Sequence, residues 1–141
     1  MKKLLMLVFL SLLPTVVFAS EYVYEYCLSP DEIGYDANSG FYYGPKDGVV
    51  AWKSMNSHPQ GDVVQDFLAA SAYSMEGSST TVKNLTCTYR LKSNVDSFLH
   101  MKPAPDPQKE FNIVSGANWR LSMPGFYLCI TGEIKMCPFI H

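Results

Sequence analysis

Residues 81–91 read TVKNLTCTYRL, a stretch in which apolar and polar side chains alternate from Leu85 to its end. The apolar members of this alternation are Leu85, Cys87, Tyr89 and Leu91. A period of two is typical of a half-buried β-strand, because successive side chains of a strand point to opposite faces of a sheet. The stretch therefore predicts a strand whose Cys87 side chain faces the core.

Several shorter segments are also rich in β-branched and aromatic residues, and residues that favour turns separate them. They cover residues 40–44, 49–55, 95–102, 119–123, 125–131 and 134–139. Residues 62–73 fit the spacing of a helix as well as that of a strand, and we favour a strand because the surrounding segments are predicted strands. About seven short strands predict an all-β fold, either a small antiparallel sandwich or an open barrel.

One short helical turn is predicted ahead of the strands, at residues 29–32. Ser29 is a favourable N-cap, Pro30 suits the first helical position, and two acidic residues follow in the first turn. Gly34 limits this helix to about one turn.

The first twenty residues have the order of a secretory signal peptide. Two lysines at positions 2 and 3 precede an apolar stretch over residues 4–13, and the small residue Ala19 stands before Ser20. The apolar stretch is shorter than the roughly 20 residues that a membrane-spanning helix needs. We therefore expect residues 1–19 to be removed, and residues 20–141 to form a single exported domain, periplasmic or secreted, with no membrane span.

Charge narrows the classes of partner. Removal of the two amino-terminal lysines takes the formal charge from −2 to −4, and no cluster of basic residues remains. Tight binding to nucleic acid depends on clustered lysine and arginine that neutralise phosphates. A nucleic-acid partner is therefore not expected.

The four cysteines, Cys27, Cys87, Cys129 and Cys137, all lie in the mature chain. An even number of cysteines in a small exported domain predicts two disulfide bonds, and four cysteines allow three pairings. We favour Cys27–Cys87 together with Cys129–Cys137, while the two long-range pairings stay open. In the loop-entropy model, closing the longer loop is worth about 4 kcal/mol and closing the shorter one about 2.5 kcal/mol.

The pairing of Cys129 with Cys137 depends on a predicted hairpin around Gly132-Glu133. A three-residue loop places Cys129 directly opposite Cys137, at a spacing that a disulfide spans. A two-residue turn instead places Cys129 opposite Met136 and sends Cys137 to the other face of the hairpin.

The mature chain resembles a family of small exported domains of unknown function from Gram-negative bacteria, over nearly its whole length. The shared features, in chain order, are Cys27-x-x-Pro30, Trp52, Phe67, Cys87-Thr88-Tyr89, Trp119, Cys129 and Cys137-Pro138-Phe139. That family usually has proline directly after the first cysteine, and this chain departs from the pattern around Ser29. The resemblance implies a periplasmic or secreted β-domain and transfers no catalytic residue.

No set of residues predicts catalysis. The sequence lacks the serine-hydrolase elbow, the glycine-rich phosphate loop and the two-histidine zinc helix. His58, His100 and His141 are scattered, and paired cysteines leave no thiol nucleophile. Asp36 and Asn38 resemble the start of a calcium loop, but a hairpin turn explains them better. We predict no catalytic residue, no metal site and no cofactor.

Tyrosines are the unusual feature of the composition. Tyr22, Tyr24 and Tyr26 are spaced two apart and would share one face of a strand, and Tyr42 and Tyr43 follow in a second aromatic run. Exposed tyrosines offer a large apolar area with a polar tip, which suits contact with a partner. These five residues are the candidate partner surface, and the alternative is that their rings pack on the sheet.

The sequence predicts a non-catalytic domain that binds another protein in the cell envelope or outside the cell, such as an accessory or inhibitor of envelope or secretion machinery. The alternatives are a carbohydrate- or ligand-binding module and a small hydrolase of cell-wall or carbohydrate substrates. An exposed tyrosine patch would favour the binding functions, and a concave pocket with converging histidine and acidic side chains would favour the enzyme.

We predict that the exported protein begins within about two residues of Ser20, because Val17 and Ala19 suit the −3 and −1 positions of a cleavage site. Amino-terminal sequencing of the exported protein checks this. An intact Met1 in the envelope fraction would contradict cleavage and indicate an uncleaved anchor.

Overall fold

The structure, a computed structural model, describes residues 22–74, 76–77, 79–93 and 96–141. The predicted signal peptide and its cleavage site lie outside these residues, as does Val95 of one predicted strand. The described residues form an antiparallel sheet of ten strands. The strands are β1 (Gly34–Asp36), β2 (Phe41–Gly44), β3 (Trp52–Ser54), β4 (Val64–Ser74), β5 (Thr81–Leu91), β6 (Phe98–Pro103), β7 (Phe111–Ile113), β8 (Arg120–Met123), β9 (Phe126–Cys129) and β10 (Phe139–Ile140).

The all-β prediction is confirmed, with ten strands where the sequence predicted about seven. The strands β1, β7 and β10 were not predicted, and each has only two or three residues, too few to show a period of two. Two single-turn 3₁₀ helices complete the structure, at Pro30–Glu32 and Ile134–Met136. No helix of the described residues is long and apolar enough to cross a membrane.

β5 is the strand around which the sheet is arranged. β4 pairs with it along one edge, whereas β6 and β7 share the other edge, at residues 87–90 and 81–82 of β5 respectively. The strand order is therefore β1-β2-β3-β6-β5-β4-β9-β8. β7 and β10 form a side branch: β7 pairs with the part of β5 that β6 does not cover, and β10 pairs with β7.

The alternation that predicted β5 is confirmed, since its apolar residues from Leu85 to Leu91 are buried. Val82 is buried as well, although it lies three positions before Leu85. Asn84 between them has φ 53°, a left-handed conformation that asparagine tolerates better than most residues. This local change of direction turns both Val82 and Leu85 toward the core.

β4 resolves the ambiguity of residues 62–73 in favour of a strand. Its pairing with β5 shifts register three times, after Val64, Phe67 and Ser71. A bulge inserts an extra residue and reverses the alternation of faces beyond it. The bulges therefore explain why the apolar residues of this strand do not follow a period of two.

A hydrogen-bond network curls the sheet. The Tyr42 hydroxyl on β2 accepts from the Asp62 backbone N–H at 2.7 Å and donates to the Asp62 carbonyl at 3.0 Å. Asp62 leads into β4, yet β2 and β4 are separated in the sheet by β3, β6 and β5. The Asp62 carboxylate also accepts from the Ser93 backbone N–H and hydroxyl, each at 2.8 Å. The sheet is therefore bent toward an open barrel with Tyr42 inside it.

Aromatic side chains fill the space between the two branches of the sheet. Trp52 of β3 meets Phe139 of β10 with ring centroids 6.2 Å apart, and Phe139 meets Phe111 of β7 at 5.2 Å. On the other side of β5, Tyr89 packs against Phe67 at 5.7 Å. The Tyr89 hydroxyl donates to the Leu28 carbonyl at 2.8 Å, which satisfies the polar end of a buried ring.

Both favoured disulfide bonds are present, Cys27–Cys87 and Cys129–Cys137, and all four cysteines are buried. The predicted hairpin is wrong, however. Cys129 ends β9, and the chain then returns through the 3₁₀ turn Ile134–Met136 instead of a second strand. Of the predicted strand at residues 134–139, only Phe139 lies in a strand, β10, which pairs with β7. The compact turn brings Cys137 back to Cys129 in place of hairpin pairing.

The predicted helical turn is confirmed at Pro30–Glu32. The Glu32 carboxylate accepts from the Ser29 backbone N–H at 2.8 Å and from the Ser29 hydroxyl at 2.6 Å. These bonds hold the chain between Cys27 and β1 in a fixed turn.

We expect loss of the Cys27–Cys87 bond to destabilise the protein more than loss of the Cys129–Cys137 bond. The first bond closes a loop over a sequence separation of 60 residues and the second over 8. In the loop-entropy model the two losses are about 4 and about 2.5 kcal/mol. Urea unfolding of the double variants Cys27→Ser/Cys87→Ser and Cys129→Ser/Cys137→Ser measures them. A larger loss in the second variant would contradict the ranking.

We expect Tyr42→Phe to lower the free energy of unfolding by about 1–3 kcal/mol, because both backbone groups of Asp62 lose their partner. Tyr43→Phe is the matched control, since its hydroxyl makes no hydrogen bond to any residue that the structure describes, and we expect it to change stability little. Urea unfolding of both variants tests this. Equal losses would mean that the hydroxyl of Tyr42 does not hold the curl of the sheet.

Candidate functional site

The five tyrosines predicted as a partner surface occupy different environments. Tyr22 and Tyr24 are exposed, with 70% and 53% of their surfaces accessible. Tyr26 and Tyr43 are half-buried. Tyr42 is only 1% exposed, so its assignment to a contact surface is wrong. Residues 42 and 43 are neighbours in β2, and neighbours in a strand point to opposite faces, so the two cannot share one surface.

The amino-terminal tyrosines and Tyr43 belong to different branches of the sheet. Glu25 pairs with Phe139 of β10, through backbone hydrogen bonds of 2.7 and 3.0 Å. Tyr43 lies on β2, whose neighbours are β1 and β3. The predicted surface is therefore divided into an exposed segment at Tyr22 and Tyr24 and a separate site at Tyr43.

The site at Tyr43 is an open pocket of about 480 Å³ on the outer face of the sheet. Its aromatic walls are Phe41 and Tyr43, and the Lys53 ammonium lies 4.2 Å from the centroid of the Phe41 ring. Tyr35 also borders the pocket, but its ring packs on the other face against Tyr42, at 5.0 Å between centroids. The ring of Tyr43 lies across Gly34, where a Cβ would come within 2.8 Å of its Cζ atom. The missing side chain at residue 34 is thus what allows this ring to form a wall.

One acidic residue, Asp36, lines the same pocket but is used by its own turn. Its carboxylate accepts from the Ser39 hydroxyl at 2.7 Å and from the Asn38 backbone N–H at 3.0 Å. These two hydrogen bonds hold the pKa of Asp36 below its ordinary value. The pattern that resembled a calcium loop is an aspartate-stabilised turn, and no group of three metal-ligating side chains exists within the described ranges.

A second surface lies at the opposite end of the sheet, on the outer face of β4, β9 and β8. Cross-strand pairing places Tyr73, Phe126 and Met123 side by side, and the rings of Tyr73 and Phe126 are 4.9 Å apart. Leu128 is two residues along β9 from Phe126 and lies on the same face, and Ile130 follows it. We call these five residues the edge patch.

The edge patch is largely open to solvent. Met123 and Ile130 are 59% and 69% exposed, and Tyr73 is exposed as well. A cavity of about 440 Å³ lies beside the patch, and Leu128, Ile130 and Arg120 are among its lining residues. Arg120 is the only charged side chain in that lining, and it forms no ion pair with any described residue.

β8 forms one end of the sheet. It pairs with β9 along one edge, and none of the described residues pairs with its other edge. All four residues of β8 are exposed, so both of its faces are open. The strand therefore presents unpaired backbone donors and acceptors beside an apolar patch, which is the arrangement that invites a further strand.

The sequence contained a signal for the edge patch that the tyrosine pattern obscured. In the segment 126–130, Tyr127 and Cys129 face the core because Cys129 is in a disulfide bond. The alternation then forces Phe126, Leu128 and Ile130 onto the other face. Three apolar residues on the face opposite a buried cysteine indicate either a second buried layer or a contact surface. Tyr73 and Met123 join them only through the pairing of strands, which no local pattern reveals.

The three histidines have separate structural roles. His58 packs edge-on against the Tyr42 ring, at 5.2 Å between centroids. His100 lies 3.1 Å from the Thr88 hydroxyl through Nδ1, and its partial burial lowers its pKa. His141 contacts the Glu25 carboxylate at 2.7 Å. Each histidine is thus engaged at a different place in the fold.

Comparison with known proteins leaves the geometry as the basis for assigning a function. The chain matches no protein-family model, no curated protein and no solved structure.

Proposed function

We propose that this chain is an exported, non-catalytic domain that binds another protein through the edge patch. The observation that carries the proposal is the exposure of Tyr73, Met123 and Ile130 on one face, beside a strand that is unpaired along one edge. Apolar and aromatic side chains that cluster on a surface are typical of contact sites between proteins. The partner is a protein of the cell envelope or of the surroundings, and the domain acts on it as an accessory or inhibitor.

Export is supported by the two disulfide bonds, which persist in oxidising compartments such as the periplasm or the outside of the cell. The signal-peptide pattern of the first twenty residues supports the same location.

The pocket at Tyr43 favours a second candidate function, a carbohydrate- or ligand-binding module. Its two aromatic walls, Phe41 and Tyr43, suit stacking on a sugar ring, and Lys53 and Asp36 add polar groups at the rim. Apolar walls with a few polar groups are usual in small-molecule sites. Tyr43→Ala should then weaken binding on a glycan array, while edge-patch variants should leave it unchanged.

Charged substitutions in the edge patch test the protein-binding function. Met123→Lys with Ile130→Lys should weaken binding of the partner at least about tenfold, because a cation would have to be buried against apolar surface. Val49→Lys is the matched control, since Val49 is 88% exposed in a loop outside the patch. Partners captured from native envelope extract are identified by mass spectrometry, purified, and titrated against each variant by calorimetry.

Thermal unfolding of every variant separates lost binding from lost folding. We expect both lysine variants to unfold close to the wild type, because the substituted side chains are exposed. Equal affinity of the wild type and the edge-patch variant for the partner would contradict the proposal. A loss confined to Tyr22→Ala/Tyr24→Ala would move the contact to the amino-terminal tyrosines.

A further inference from the structure

We propose that the ligand of the edge patch is an extended peptide segment that adds to β8 as a further strand and places a carboxylate against Arg120. The inference rests on the proposed protein-binding function and names the chemistry of the partner. It is carried by three features of one place in the fold: a strand edge and a cation that have no partner among the described residues, and an apolar face beside them.

The first feature selects an extended backbone. Within the part of the chain that the structure describes, β8 pairs only with β9, so the N–H and C=O groups on its outward edge are available there. The edge of β1, at the opposite end of the sheet, is not open in the same way. The curl turns β1 toward the chain that leads into β4, and both segments line one cavity. The outer edge of β10, at the end of the β7–β10 branch, is not open either, because Glu25 already pairs with Phe139 of that strand. Backbone groups in a row along an edge are matched by another strand, not by a helix or a loop.

The second feature selects apolar side chains on one face of that strand. Arg120 and Met123 lie on the outer face, since they pair with Leu128 and Phe126, which are two apart on β9. A strand added beside β8 would direct alternate side chains to this face, next to Met123, the member of the edge patch that lies on β8. An apolar residue in the ligand strand therefore lies close to Met123.

The third feature selects the charge. Arg120 is the only charged side chain around the neighbouring cavity and lacks an ion-pair partner among the described residues. Covering an unpaired guanidinium with an apolar ligand is costly, whereas a carboxylate matches its paired donors. The ligand strand therefore carries an aspartate or glutamate two or three residues from its apolar contact.

The same charge argues against a second copy of this chain as the occupant. In a twofold antiparallel pairing that aligns two β8 strands over their whole length, Arg120 of one copy would lie beside Met123 of the other, and Leu121 beside Ser122. Each arginine would then be covered without an acid. β8 is also short and bulged after Leu121, features that limit nonspecific pairing of edges. Binding therefore depends on the side chains as well as on the backbone.

Selection of peptides on the full exported chain tests the proposal. The probe is a phage-displayed library of linear peptides of about ten residues, enough to cover a four-residue strand and its flanks. We expect enriched peptides to share an acidic residue two or three positions from an apolar one. Arg120→Glu should weaken their binding at least about tenfold, and replacing the peptide's acid by lysine should restore it. Lys92→Glu, the same change of charge at the end of β5, is the control.

Methylation of the peptide's backbone nitrogens, one at a time, provides a readout of strand addition that side-chain effects do not imitate. We expect binding to be lost at every second position and kept at the positions between, because alternate N–H groups of an added strand point toward β8. The proposal would be overturned if the methylated positions that lose binding did not alternate, or if Arg120→Glu had no effect on peptide binding.

Two further outcomes would also overturn it. If no peptide of the library enriched, an extended segment would be excluded as the ligand. A dimer in sedimentation experiments that Met123→Lys dissociates would place a second copy on β8. If the natural partner still depends on Met123 and Ile130 in either case, protein binding stands and strand addition alone is wrong.

Discussion

The bond between Cys27 and Cys87 joins the amino-terminal segment to the middle of β5, the strand that pairs with three others. Cys87 lies where β5 has β4 on one side and β6 on the other, so the bond is anchored at the most constrained part of the sheet. Leu28, next to Cys27, is held again by the Tyr89 hydroxyl. The segment so fixed begins the turn Pro30–Glu32, which contacts β4 and leads into β1. The bond therefore fixes where the chain enters β1, and the Tyr42–Asp62 hydrogen bonds then join β2 to the start of β4.

The sequence predicted the strands whose apolar and polar residues alternate regularly, and it predicted irregular strands less well. β5 was predicted with its faces, because one of them is buried without interruption from Leu85 to Leu91. β6 lies within the strand predicted at residues 95–102, and its Leu99 and Met101 are buried whereas Phe98 is exposed. β4 was ambiguous because its bulges break the alternation, and β1 and β7, with three residues each, were missed because they are defined by their partners.

The candidate site was harder to predict than the fold, for a related reason. The tyrosine pattern treated Tyr42 and Tyr43 as one group, although a strand separates them onto opposite faces, and one of them became part of the core. The edge patch draws on β4, β9 and β8, which lie far apart in the sequence, and their alignment is decided by strand order. Cysteine spacing was more informative, because a covalent bond between Cys129 and Cys137 tolerates different paths of the chain, here a 3₁₀ turn in place of a hairpin.

The segment at residues 136–138 has a consequence for the contact proposed at the edge patch. It holds the end of β9 through the Cys129–Cys137 bond, and its carbonyls hold the start of β8. The Trp119 indole N–H donates to the Pro138 carbonyl at 2.8 Å, and the Asn118 amide donates to the Met136 carbonyl at 3.2 Å. β8 and β9, two of the three strands of the patch, are thus fixed in relation to each other. A surface that is already ordered loses little conformational entropy on association, so in the proposed strand addition nearly all of that loss would fall on the peptide.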